Sequence, residues 1–72
     1  MSYGKILAQN MRRIRLAKGF SQDELGEQCG LSRNYIGNLE RQEHSPSLDA
    51  MAAIASALDV SLIELLTKIG PK

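Results

Sequence analysis

The chain has only one cysteine, Cys29, in 72 residues, so no disulfide can form within it and a reducing compartment is indicated. Tryptophan is absent and aromatic residues make up only 4%, so the core must be aliphatic. One cysteine and one histidine cannot supply the ligand set of a structural zinc site. No apolar run approaches the ~20 residues that span a bilayer, and no signal-peptide pattern is present. These absences predict one small cytoplasmic domain over residues 1–72, with no metal, no cofactor and no membrane partner.

Short helical signals recur along the chain, and no stretch shows the period-two alternation of a strand. They predict an all-α fold, a compact bundle of five helices. The first helix is predicted over residues 4–18 and stops at Gly19. A serine is the predicted start of each of the other four helices; in chain order these are Ser21, Ser32, Ser47 and Ser61. Ser21 with Glu24 and Ser61 with Glu64 each form a predicted capping box. Gly30 and Gly70–Pro71 are the predicted helix ends.

Apolar residues at three- and four-residue spacing predict the buried face of each helix. Cys29 falls on such a face, so a buried and inert thiol is expected. From the first helix to the fifth, the predicted inward residues are Ile6, Leu7, Met11, Ile14 and Ala17; Leu25 and Cys29; Ile36 and Leu39; Leu48, Met51, Ala52, Ala55 and Leu58; and Leu62, Leu65, Leu66 and Ile69.

Residues 22–41 have the spacing of two short helices joined by a tight turn. Gly26 falls where the helices approach each other closely, a position that admits only Gly or Ala. Gly30 supplies the left-handed turn. Apolar residues on both sides would dock the pair on the bundle. Together these features indicate a helix-turn-helix.

The charge distribution gives weaker support. The net charge is +1, but before Asp23 the chain carries five basic residues and no acidic one. Local charge sets the field at a binding face, although such a run is equally compatible with a solvated helix surface.

The segments "IRLAKGFSQDELGEQCGLSRNYIGNLER" and "SPSLDAMAAIASALDVSLIELL" resemble the Cro/CI-type (XRE) helix-turn-helix regulators of phages and bacteria over nearly the whole chain. The shorter "SRNYIGNLER" is also similar to controller proteins of restriction-modification systems. The resemblance implies a five-helix lambda-repressor-like fold and a sequence-specific transcriptional regulator, bacterial or phage-encoded, cytoplasmic and nucleoid-associated. Its implied partners are double-stranded DNA and a second copy of the chain, with no small-molecule ligand.

In this family the second helix of the motif enters the major groove with its N-terminal residues at base edges. Arg33 can pair with guanine, and Asn34 or Asn38 with adenine. Tyr35 either contacts DNA or packs, and a solvated surface is the alternative for the others. Glu43 would repel phosphate, and Gln42 stands where relatives often carry glycine. The residues expected at the DNA backbone are Gln22, Ser32, Arg41, Gln42, His44 and Ser45.

The resemblance also implies a partly buried salt bridge between Arg15 and Glu40, which would fix helix orientation. A single recognition helix reads few base pairs, so a homodimer on a palindromic operator with half-sites about 34 Å apart is expected. The fifth helix has more apolar residues than one face can bury. Ile63, Leu66 and Ile69 are therefore the predicted dimer interface.

The sequence gives weaker support to two other classes of function. An antitoxin-like protein-interaction module would share the fold, but such proteins often add an extended tail, and only two residues follow Gly70. An enzyme is not expected, because the sequence offers no nucleophile with an activating base, no convergent carboxylates and no phosphate loop.

Overall fold

The computed structural model describes residues 3–68, and these residues form five helices and no strand. The predicted all-α class is therefore confirmed. The helices are α1 Tyr3–Ala17, α2 Gln22–Cys29, α3 Arg33–Glu40, α4 Leu48–Ala57 and α5 Leu62–Leu65. Helix α2 packs against α3 and α4, while α1 packs against α3 and α5.

A serine hydroxyl begins each of the four helices after α1, as predicted. Each hydroxyl accepts a hydrogen bond of 3.0 Å from the backbone N–H three residues further on. At α2 and α5 the third residue is a glutamate that accepts from the serine N–H in return, which completes a capping box. Caps of this kind contribute about 1 kcal/mol each and fix where the helices start.

Every helix contributes a fully buried aliphatic side chain to one core, and Leu58, which ends α4, adds another. Removing such a side chain from water stabilises the fold by roughly 1.5–3 kcal/mol. The predicted inward faces of α1, α2 and α3 largely hold, except that Ala17 is exposed and Cys29 is only half-buried. The fully buried residues are Met11, Leu25, Ile36, Ile54, Leu58 and Leu65.

The predicted face of α4 was wrong at two positions. Leu48 is 66% exposed, and Ala52 is also exposed. Leu48 is the first residue of the helix and lies beyond the edge of the core. Ile54 is fully buried instead. The buried stripe therefore runs through Met51, Ile54, Ala55 and Leu58, which have the i, i+3, i+4, i+7 spacing of a single helix face.

Helix α5 is shorter than predicted. The sequence suggested a helix continuing to Ile69, but α5 ends at Leu65. The cause is Asn10 of α1, which is only 4% exposed. Its Nδ2 lies 2.8 Å from the carbonyl oxygens of both Leu65 and Thr67, and 3.4 Å from that of Glu64. These carbonyls thus have a buried donor where the helix stops. The predicted Ile69 and the Gly70–Pro71 stop lie outside the described residues.

Replacing Asn10 with alanine should destabilise the fold by about 2 kcal/mol, because buried carbonyl groups would lose their donor. Urea unfolding followed by circular dichroism measures this loss. Gln9→Ala is the matched control, since Gln9 is the exposed neighbour on the same helix and its loss should have almost no effect. Equal stability of the two variants would show that Asn10 does not hold α5.

Candidate nucleic-acid interface

The turn between α2 and α3 has the geometry of a helix-turn-helix. Gly30 has φ +74°, the left-handed region predicted for it. The Leu31 N–H donates to Gly26 O at 2.9 Å, which closes the turn. A Cβ on Gly26 would lie inside van der Waals contact with the backbone oxygen of Leu31. The close approach predicted at Gly26 is thus present, and alanine there would require the backbone around Leu31 to shift.

The first turn of α3 projects polar side chains outward. Ser32 caps the helix by accepting from the Tyr35 N–H at 3.0 Å. Arg33 and Asn34 follow it directly and are both exposed. Their side chains are thus presented at a helix N-terminus whose backbone is already fixed by the cap.

Tyr35 and His44 lie together at one side of this helix. Tyr35 is half-buried, with one part of its side chain packed against the core and another part exposed. Its ring centroid is 6.2 Å from that of the exposed His44, with the planes tilted by 33°. This contact brings the loop after α3 to the side of the predicted recognition helix.

A buried polar network fixes α3 against the two preceding helices. The Arg15 Nε donates to Glu40 Oε2 at 2.8 Å, and Arg15 Nη2 donates to Oε1 at 3.1 Å. The two side chains are only 8% and 4% exposed. Arg15 Nη1 also donates to the backbone oxygen of Phe20 at 2.8 Å, and Gln22 Nε2 donates to Glu40 Oε1 at 3.1 Å. The ion pair implied by the resemblance is thus formed, and Gln22 joins it.

The end of α3 carries a second, exposed polar cluster. Arg41 Nη2 donates to Asn38 Oδ1 at 2.6 Å, and Arg41 Nε lies 3.2 Å from Glu43 Oε1. Gln42 has φ +64°, so the position where relatives often carry glycine does adopt the left-handed conformation here. Sequence reasoning had assigned Arg41 to phosphate and had missed its contact with Asn38. The i, i+3 spacing of the two residues was the available signal.

The side chains predicted for the dimer interface differ in exposure. Ile63 is 78% exposed, whereas Leu66 is half-buried against the core. Ile63 borders an open groove of about 380 Å³ between α1 and α5, lined by Arg13, Ile14, Val60, Ile63, Glu64 and Thr67. The third predicted residue, Ile69, lies outside the described residues.

Residues 3–68 give little support for a metal site, a membrane-spanning helix or a reactive thiol. No group of three or more His, Cys, Asp or Glu side chains there could hold a metal ion, and no helix in that range is long and apolar enough to cross a membrane. Burial raises the pKa of the Cys29 thiol, and hydrogen bonds with the backbone of Leu31 and Cys29 oppose that rise. The reactive thiolate is correspondingly scarcer at neutral pH.

Comparison with known proteins agrees with this geometry. A helix-turn-helix family model matches residues 11–65. The control protein C.SmaI of Serratia marcescens is 42% identical over 72 residues, which are 100% of this chain and 86% of that protein. The controller protein C.AhdI from Aeromonas hydrophila has a crystal structure that matches with a TM-score of 0.83 and 39% identity, covering 86% of this chain and 94% of that one.

A third match is a structure that includes DNA. The restriction-modification controller protein C.Esp1396I, solved as a tetramer in complex with its natural 35 base-pair operator, matches with a TM-score of 0.79 and 28% identity. The match covers 93% of this chain and 99% of that one. The family model spans most of the described residues, and this chain therefore belongs to the helix-turn-helix family. The resemblance to Cro/CI-type regulators is confirmed, and control proteins are among its relatives.

Glu40→Gln should destabilise the fold by about 3 kcal/mol, because Arg15 would stay buried without a counter-charge. Glu43→Gln is the matched control: it makes the same substitution in the exposed pair with Arg41 and should change stability by less than about 0.5 kcal/mol. Chemical unfolding measures both. A loss below about 1 kcal/mol in Glu40→Gln would contradict the assignment of the buried pair as the main constraint on α3.

Proposed function

We propose that this chain is a sequence-specific DNA-binding transcriptional regulator that acts as a homodimer on a palindromic operator, as a restriction-modification controller. It would act at the nucleoid, in the bacterial cytoplasm. The observation that carries the proposal is the exposure of Arg33 and Asn34 on the capped first turn of α3, the second helix of the motif.

The chemistry of these side chains suits base edges in the major groove. Arg33 offers a fork of donors that matches the O6 and N7 acceptors of guanine, and Asn34 offers one donor and one acceptor, as adenine requires. Within residues 3–68 no hydrogen bond or ion pair engages either side chain, so neither must break an internal contact to bind. Tyr35, which is partly packed against the core, and Asn38 complete the proposed base-reading set.

The backbone contacts would flank α3 on both sides. Gln22 is the first residue of α2, whose N-terminus is the positive end of a helix dipole and suits a phosphate. Beyond α3, the exposed side chains of the loop can reach the next phosphates along the strand. With the cap residue of α3, the proposed backbone set is Gln22, Ser32, Arg41, Gln42, His44 and Ser45.

Dimerisation follows from the size of the reading element. Helix α3 has 8 residues, which is about 12 Å of helix. That length contacts only a few base pairs, too few for useful specificity, whereas two copies one DNA turn apart read twice as many. The C.Esp1396I tetramer on its operator supports assembly of more than one copy on DNA. Ile63 and the groove beside it, together with Leu66 and Ile69, form the proposed interface.

Selection of binding sites from a random duplex DNA library tests the whole proposal. Enrichment of a palindrome with half-sites one helical turn apart is the expected result. Weak, salt-sensitive binding without an enriched motif would contradict it and would instead favour a protein-interaction module of the antitoxin type.

Arg33→Ala should weaken binding to the selected site by about 1–3 kcal/mol and relax base preference at one base pair in each half-site. Arg12→Ala removes the same charge from the exposed face of α1 and is the control, which should leave base preference unchanged. Fluorescence anisotropy with a panel of single-base variants of the site measures both. Unchanged affinity and preference in Arg33→Ala would contradict the assignment of α3 as the reading helix.

Ile63→Asp should weaken self-association at least about tenfold, since it places a charge where an apolar side chain would be buried between two copies. Leu48→Asp is the matched control, because Leu48 is also a large exposed apolar residue but lies on α4. Sedimentation equilibrium measures the dimer dissociation constant. If Leu48→Asp disrupts the dimer and Ile63→Asp does not, the interface has been placed on the wrong face.

A further inference from the structure

We propose that Arg41 is a positioning residue that makes Asn38 select guanine instead of adenine. By donating to the side-chain oxygen of Asn38, Arg41 takes one of its two lone pairs and places a positive charge beside it, so the amide meets a base chiefly as a donor. The inference rests on the proposed function, and it concerns which base the same surface prefers.

The contact defines the orientation of the Asn38 amide. Arg41 Nη2 lies 2.6 Å from the oxygen of Asn38. A guanidinium carries donors only, so the atom that faces it must be the oxygen and not the nitrogen of the amide. The NH₂ group of Asn38 therefore points away from Arg41.

Three neighbouring features hold Arg41 over Asn38. Glu43 Oε1 lies 3.2 Å from Arg41 Nε and fixes the other end of the guanidinium group. The left-handed backbone at Gln42 turns the chain back, so that the Glu43 N–H donates to the backbone oxygen of Asn38 at 2.8 Å. Gly37 leaves space for the arginine, since a Cβ on Gly37 would lie 3.1 Å from Arg41 Nη1.

The two asparagines of α3 are consequently in different states. Asn34, Asn38 and Arg41 are spaced i, i+4 and i+7, so all three belong to one stripe along the helix. The Asn34 side chain makes no hydrogen bond within residues 3–68 and keeps both its donor and its acceptor for DNA. The Asn38 oxygen already accepts from Arg41 and keeps one lone pair instead of two.

The difference matters because adenine and guanine present different hydrogen-bonding groups in the major groove. Adenine presents the N7 acceptor and the N6 donor, so an asparagine needs both its donor and its acceptor to pair with it. Guanine presents two acceptors, N7 and O6, which suit the NH₂ group of Asn38, whereas the N6 donor of adenine would compete with the Arg41 guanidinium for the Asn38 oxygen. Asn34 should therefore prefer adenine, and Asn38 should prefer guanine for as long as Arg41 holds its oxygen.

The test uses the operator palindrome selected by the full chain and measures the ratio of dissociation constants for adenine and guanine at each base pair of a half-site. Asn38→Ala first identifies the base pair that Asn38 contacts, where preference should disappear. At that pair the unmodified protein should favour guanine about tenfold. Arg41→Met should shift the ratio about tenfold toward adenine, with no change at the pair that depends on Asn34.

Arg41→Met also removes a positive charge, so a second variant separates the two effects. Gly37→Ala keeps the charge but places a methyl group 3.1 Å from Nη1, so the flexible end of Arg41 must shift by a few tenths of an ångström, which weakens its contact with Asn38. It should shift the same ratio in the same direction. Arg12→Met is the charge control, and it should lower affinity evenly or not at all.

The outcomes separate the inference from the proposed function. An adenine preference at the Asn38 pair in the unmodified protein would overturn the inference alone, as would an unchanged ratio in both Arg41→Met and Gly37→Ala. Intact preference in Asn38→Ala would also overturn it. Failure of the unmodified protein to select any palindrome would overturn the proposed function and this inference with it.

Discussion

The buried ion pair between Arg15 and Glu40 is the constraint on which the arrangement of α1, α2 and α3 depends. It joins the last turn of α1 to the last residue of α3, and each partner makes a further hydrogen bond, Arg15 to the Phe20 carbonyl and Glu40 with Gln22 of α2. Two charges removed from water tolerate few geometries, because both must keep all their partners. The pair therefore gives α3 one orientation relative to α1 and α2, which an aliphatic core alone would specify less strictly.

That fixed orientation means that one side of α3 is buried and the other is exposed. Ile36 and Leu39 face the core, while the stripe that begins at Asn34 faces outward. The outward side is itself organised, since Arg41 and Glu43 bind one another and engage Asn38 before any DNA is present. The hydrogen-bonding capacity of such a surface is therefore set by the contacts within the free protein as much as by residue type.

The parts of the fold that sequence predicted correctly are those set by local chemistry. Serine caps and the left-handed Gly30 act within a few residues of their own position, so spacing alone identified them. The end of α5 was missed because its cause, Asn10, lies more than fifty residues away in sequence. The exposure of Leu48 depends on where the core stops, and the orientation of Asn38 depends on the space above Gly37. The residues next to Leu48 do not encode its exposure, whereas the orientation of Asn38 depends on near neighbours, and the i, i+3 spacing of Asn38 and Arg41 was the signal for it.

Helix α1 links the two surfaces that the proposed function requires. Arg15 holds α3, and Asn10, which is five residues earlier and thus about 7.5 Å away along the helix, holds the end of α5. The groove beside Ile63 lies between the same two elements, α1 and α5. A dimer formed through that groove would therefore transmit its geometry to α3 through one rigid helix. The separation of the two reading helices would then follow from polar contacts buried inside each copy, since those contacts join both α3 and α5 to α1.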